Sequence, residues 1–122
     1  MLQDMKQDSA LQNIKQFEER IAVIKALLVR LGALHPGSLS RQYNVCGKPG
    51  CRCKNPRRPR RHGPYYQLNY VFRGKKTSRF IPHQQVAQLR KELANYKILR
   101  RSAEQWTALA LQIAQVRRKM KS

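Results

Sequence analysis

Apolar residues recur at alternating steps of three and four over residues 9–33, at Ile14, Phe17, Ile21, Ile24, Leu28 and Leu31. That spacing keeps one stripe on one side of an α-helix, in the a and d positions of a heptad. Ser9 is suited to cap its start, and Gly32 with Pro36 to end it. A longer stripe of the same kind occupies residues 83–120. It runs Val86, Leu89, Leu93, Tyr96, Leu99, Ala103, Trp106, Leu109, Ile113, Val116 and Met120, with a phase slip near Leu99. Pro82 stands where a first-turn proline is tolerated. Between the two stripes the period changes to two. In YYQLNYVF (65–72), Tyr66, Leu68, Tyr70 and Phe72 alternate with Tyr65, Gln67 and Asn69. Arg73-Gly74-Lys75-Lys76 then predicts a turn, and TSRFI (77–81) a returning strand. SLSRQY (38–43) is a candidate for a short third strand.

These elements predict a mainly α chain with a small β-hairpin, in the order helix, knob with hairpin, long helix, over segments 1–35, 36–82 and 83–122. Two striped helices around a compact insertion are expected to fold back as an antiparallel, coiled-coil-like hairpin with the knob at its closed end. At about 1.5 Å per residue the second helix outruns the first. That leaves Trp106, Leu109, Ile113 and Val116 as a face for a second copy or another protein. The competing expectation is that Leu2 and Met5 extend the first helix and cover it.

Charge adds a partner to this outline. The 122 residues carry 26 lysines and arginines against 6 acids, a formal net charge of +20. From Arg20 to Lys91 there is no Asp or Glu, against seventeen Lys and Arg. Internal ion pairs cannot neutralise that stretch, so a polyanionic partner is expected. A solvated basic surface is the plainer reading. The opening MLQDMKQDSALQ lacks the basic and apolar regions of a secretory signal. The longest apolar run, IAVIKALLVRLGAL, is broken by Lys25 and Arg30 and is too short to span a bilayer. A cytoplasmic chain is expected. There is no paired carboxylate set, no phosphate-cradling glycine loop and no Ser-His-Asp arrangement, which argues against an enzyme.

Residues 36–64 pose the energetic problem. They hold five prolines and four glycines, with only Leu39, Tyr43 and Val45 as large apolar side chains. That is too little apolar surface to offset the ordering entropy of 29 residues. Within them, CGKPGCRCKNPRRPRRHGPYY (46–66) places Cys46, Cys51 and Cys53 at C-x4-C-x-C spacing, followed by His62. Three thiolates and an imidazole form a donor set for structural zinc. Gly47-Lys48-Pro49-Gly50 is a tight turn that lets two sulfurs converge, and metal binding supplies the folding energy the segment lacks. His35 is a substitute for His62 as fourth ligand. A reactive thiol activated by the nearby arginines, and an unordered basic tract with incidental cysteines, are the alternatives.

Cys46, Gly47, Gly50, Cys51, Cys53, His62, Gly63, Pro64, Tyr65 and Tyr66 are followed by the basic RGKKTSRFIP and a long helix. Over roughly residues 37–100 this resembles a family of small uncharacterised bacterial proteins classed as a domain of unknown function. The family's shared core reads C-G-x-x-G-C-x-C followed by H-G-P-Y-Y. The resemblance implies the Cys-His grouping, an association with transposases and mobile elements, and no established activity.

Arg57, Arg58, Arg60 and Arg61 lie beside Pro56 and Pro59 and read as an extended arm. Such an arm suits a phosphate backbone or a minor groove. Arg52 and Lys54 precede it, and Arg73, Lys75, Lys76 and Arg79 form a second basic group at the hairpin. Tyr65, on the polar side, is a candidate to stack on an unpaired base; Tyr66 and Tyr70 read as core. The expected function is a zinc-stabilised accessory protein that binds DNA or RNA chiefly through phosphates, beside a transposase, recombinase or other nucleic-acid enzyme. The alternative is an interaction module that docks on an acidic protein through the zinc knob and helices. No membrane or small-molecule partner is expected.

Overall fold

The computed structural model describes residues 2–44, 50–57 and 62–121. Its elements are α1 (Leu2–Val29), β1 (Ser38–Asn44), a 3-10 turn (Arg52–Lys54), β2 (His62–Phe72), β3 (Lys75–Ile81), a second 3-10 turn (His83–Gln85) and α2 (Val86–Lys121). The chain is mainly helical, with a small three-stranded antiparallel sheet. It divides into two units, residues 1–32 with 97–122, and residues 33–96. Among the described residues, no helix is long and apolar enough to cross a membrane.

The first unit pairs α1 with the later turns of α2. Ile14, Ile21 and Ile24 are buried with Leu109 and Ile113, and Phe17, Leu28, Trp106, Val116 and Met120 pack around them. Lys25 Nζ stands 5.0 Å from the Trp106 ring centre, and Glu18 lies 3.6 Å from Arg117. Residue numbers therefore rise along one helix as they fall along the other, and the pair is antiparallel. This corrects the expectation of an open partner face. Trp106, Leu109, Ile113 and Val116 are covered from within the chain. The reason is the register of the pairing, which sets Ile14, Ile21 and Ile24 of α1 against Leu109 and Ile113 of α2; α1 itself is longer than expected, its 28 residues beginning at Leu2. Ser9 accordingly lies inside the helix rather than capping it; the preceding residues include several good helix formers, and the helix continues through them. Met5 stays exposed and is not part of the cover.

α2 departs from the expected stripe at one position. Ser102 is buried and Ala103 is exposed. Three successive steps of three, from Leu93 through Tyr96 and Leu99 to Ser102, rotate the inward face of the helix. The rotation falls where α2 passes from one unit to the other, at residues 96 and 97. Among the described residues, every buried side-chain nitrogen or oxygen has a hydrogen-bond partner.

The second unit is built on the sheet, with β2 between β1 and β3. β1 pairs with β2 from Ser38 opposite Asn69 to Asn44 opposite His62, and β3 pairs with β2 from Tyr66 opposite Ile81 to Phe72 opposite Lys75. The third strand, a candidate at 38–43, is present over Ser38–Asn44. Arg73 and Gly74 alone make the β2–β3 turn, with φ of 50° and 78°. Two left-handed central residues define a type I′ turn, whose twist matches that of the flanking strands. Lys75 and Lys76, expected in the turn, instead open β3.

One face of the sheet is covered by the first turns of α2. Leu68, only 3% exposed, packs against Leu89 and Leu93, with Leu39, Tyr70 and Ile81 alongside. Burying a side chain of this size stabilises by about 1.5–3 kcal/mol. Phe72 shares the parity of Leu68 yet is 59% exposed. It is the last residue before the turn, beyond the positions that α2 covers. α2 itself starts later than expected, because His83–Gln85 forms a 3-10 turn in which Gln85 N donates to the Pro82 carbonyl at 2.9 Å.

Leu109→Ala is expected to cost about 2–5 kcal/mol, the usual range for emptying a packed leucine site. Leu111→Ala, at an exposed position two residues on, should stay within about 0.5 kcal/mol. Urea unfolding followed by helical circular dichroism separates the two.

Candidate nucleic-acid interface

The alternation of β2 that buries Leu68 turns Tyr65, Gln67, Asn69 and Val71 to the opposite face. Residues paired directly across strands share a face, so Ser40 and Gln42 of β1 and Lys76, Ser78 and Phe80 of β3 join them. Tyr65 is 42% exposed and Phe80 67%. The polar members are tied across the strands. Gln42 Nε2 donates to Gln67 Oε1 at 2.7 Å, Ser40 Oγ to the Gln67 carbonyl at 3.3 Å, and Ser78 Oγ to Asn69 Oδ1 at 2.5 Å. The expected separation of Tyr65 from Leu68 is therefore seen, and Tyr66 and Tyr70 are half-buried on the covered side. Tyr66 meets His83 edge-on at 5.2 Å, and Tyr70 meets His35 edge-on at 4.8 Å.

Phe80 is the residue that sequence reading missed. Its signal was present: in TSRFI the parity of Thr77, Arg79 and Ile81 leaves Ser78 and Phe80 facing the other way. Gln42 was missed because β1 had no register until it paired.

The candidate phosphate contacts fall into two groups. Arg73, Lys75, Lys76 and Arg79, at the β2–β3 turn and along edge strand β3, are all exposed. The Arg73 guanidinium lies 5.1 Å from the Phe72 ring centre. Arg79 shares the covered-face parity of Leu68 and borders a cavity of about 490 Å³ that His35, Gln88 and Glu92 also line. Arg52, Lys54 and Arg57, in the β1–β2 connection, are also exposed. There Arg57 N donates to Asn55 Oδ1 at 3.0 Å. Arg58, Arg60 and Arg61 lie outside the described residues.

Cys46 is likewise outside them, as are the side chains of Cys53 and His62. Cys51 is half-buried, directly after Gly50 at φ 76° and at the start of the 3-10 turn, where its carbonyl accepts from Lys54 N at 3.0 Å. Among the described residues, no three His, Cys, Asp or Glu side chains come together. His35, the substitute ligand, is engaged in packing. Its Nδ1 lies 2.6 Å from the Pro36 carbonyl. A carbonyl only accepts, so Nδ1 is the donor in this contact.

The β1–β2 ladder closes the base of the connection. Asn44 pairs with His62, and the register shifts between Gln42 and Asn44. Tyr43 thereby opposes both Gly63 and Pro64, which is a β-bulge. Gly63 has φ of 134°, and a Cβ there would fall 2.7 Å from the Gln42 carbonyl oxygen.

Residues 14–91 match the family described as Domain of unknown function (DUF6788). No curated protein matches the chain, and no solved structure does.

Gly63→Ala combines a disfavoured φ with a backbone clash, so it is expected to destabilise the sheet by more than about 1 kcal/mol. Faster amide hydrogen exchange in β1, with exchange in α1 unchanged, is the result that checks it.

Proposed function

The chain belongs to this family of unknown function, and from that premise we propose that it is a nucleic-acid-binding accessory protein that grips phosphates with its basic turn and connection. The observation that carries this reading is the composition of one unit. Residues 33–96 hold fourteen lysines and arginines against a single acid, Glu92. Arg52, Lys54, Arg57, Arg73, Lys75, Lys76 and Arg79 are all exposed. Charge on an edge strand also serves to block unwanted strand pairing. That explains Lys75, Lys76 and Arg79 but gives no reason for the cations in the connection. A polyanion accounts for both groups, and a role beside a transposase or other nucleic-acid enzyme fits a binding module of this size.

Zinc is part of the proposal. Cys46, Cys51, Cys53 and His62 supply a complete tetrahedral donor set. The pairing of Asn44 with His62 places the flanks of the connection side by side, two residues before Cys46 and at His62 itself. Zinc would there supply structural binding energy and no chemistry.

Binding measured by fluorescence anisotropy over a salt series tests the function. If six to eight cations each neutralise a phosphate, the log–log slope for duplex DNA is about −5 to −7. Changing Arg57, Arg58, Arg60 and Arg61 together to Gln should reduce its magnitude by about 3–4. A flat slope together with tight binding to an acidic protein would replace this reading with the protein-docking one. For the metal, elemental analysis should find about one zinc per chain. Chelation should increase protease cleavage within residues 36–64 while helical circular dichroism stays nearly constant; unaltered cleavage there defeats the zinc assignment.

A further inference from the structure

We infer that the open face of the sheet binds single-stranded RNA, with Tyr65 and Phe80 as stacking platforms for two bases. The inference rests on the proposed function and narrows its substrate. Three observations carry it. First, Tyr65 and Phe80 are exposed aromatic side chains of the same face. Phe80 is opposite Gln67, which makes it the diagonal neighbour of Tyr65 across two adjacent strands. Diagonal positions lie about 7–8 Å apart, room for each ring to take its own base. Exposed aromatics on a sheet are a recurrent means of holding splayed, unpaired bases.

Second, the groups around the rings are neutral hydrogen-bonding side chains held in place. Gln42 is bonded to Gln67, and Asn69 accepts from Ser78. The cross-strand bonds use the carbonyl oxygens of Gln67 and Asn69. Their amide nitrogens keep donor capacity toward base edges and ribose hydroxyls. The 2′-hydroxyl, both donor and acceptor, is the group that distinguishes RNA from DNA at such a surface. An apolar protein partner would leave this amide and hydroxyl row without use.

Third, the charge around the face suits a single strand. Lys76 lies on the face itself, opposite Val71. Arg73 stands at the adjoining turn, and the basic connection leaves the sheet at the other end, at Asn44 and His62. Stacked bases on the face place the sugar–phosphate chain beside these cations. A duplex keeps its bases stacked on each other and offers the two rings nothing.

The test uses the full chain and three probes: a 12-nucleotide RNA carrying 5-bromouracil, its DNA counterpart, and the matching duplex DNA. Tyr65→Ser and Phe80→Ser are surface changes, and Tyr65→Phe and Phe80→Tyr are the conservative controls. The wild type should bind the single-stranded RNA at least tenfold tighter than the duplex. Each serine variant should weaken RNA binding about 10- to 100-fold, while the aromatic exchanges restore it and the salt slope stays the same. Ultraviolet crosslinking should place the bromouracil on Tyr65 or Phe80. Serine variants that bind RNA like the wild type overturn the inference, and so does an equal loss for the duplex. Tighter binding of the single-stranded DNA overturns the assignment to RNA. A steep salt slope that ignores Tyr65 and Phe80 would defeat this inference while sparing the phosphate-binding function; no salt-sensitive binding to any probe defeats both.

Discussion

The contact of Leu68 with Leu89 and Leu93 is the constraint on which the sheet unit depends. Three short strands need a helix or further strands against them to be stable, and the first turns of α2 provide that support on one side. Burial on one side gives alternation its meaning. Because Leu68 must point at α2, its neighbours Gln67 and Asn69 must point away, and Tyr65 with them. A slip of one residue in register would exchange the two sets. The Gln42–Gln67 and Asn69–Ser78 bonds hold the same register from the open side. The face proposed to meet a ligand and the face that holds the fold together are thus two consequences of one packing contact.

The sheet unit folds with almost no carboxylates to offset its cations, and aromatic rings take part of that role. Arg41 lies over Tyr43 at 5.8 Å, Arg73 over Phe72 at 5.1 Å and Arg90 over Tyr66 at 5.8 Å. Such contacts at exposed positions contribute about 0.5–1 kcal/mol each. They orient guanidinium groups without neutralising them. The long-range field of the unit therefore survives folding intact, and a field of that kind accelerates encounter with a polyanion. The paired helices differ in this respect. Their carboxylates are more numerous, and Glu18 is within reach of Arg117.

Periodicity made the fold legible. The 3–4 stripe of α1 and the alternation of β2 identified the inward residues as far as Leu28 and Tyr70, because burial imposes those periods directly. What was misread lies where two demands meet in one element. Ala103 entered the expected stripe because an apolar residue suits one, whereas the residue buried there is Ser102, reached from Leu93 by three steps of three. Phe72 shares the parity of Leu68 yet stays exposed, because parity cannot tell how far along a strand the covering helix extends. Ser9 looked like a cap because its chemistry allows it, although nothing required the helix to begin there. For the site, the charge asymmetry and Tyr65 were readable from the chain. Phe80 could have been read from the parity of TSRFI, whereas Gln42 acquired its position only through cross-strand pairing, which no local pattern encodes. The spacing of the cysteines is a local property that the chain displays directly, whereas the meeting of their sulfurs depends on how residues 45–61 fold.

The pairing of Asn44 with His62 separates the sheet from whatever lies between those two residues. With the ends of the connection joined by the β1–β2 ladder, its length enters the energy of the sheet only through loop closure, which changes by about 0.6 kcal/mol per doubling of length. A replacement segment of different size and composition can therefore occupy residues 45–61 while Leu68 and its neighbours remain packed.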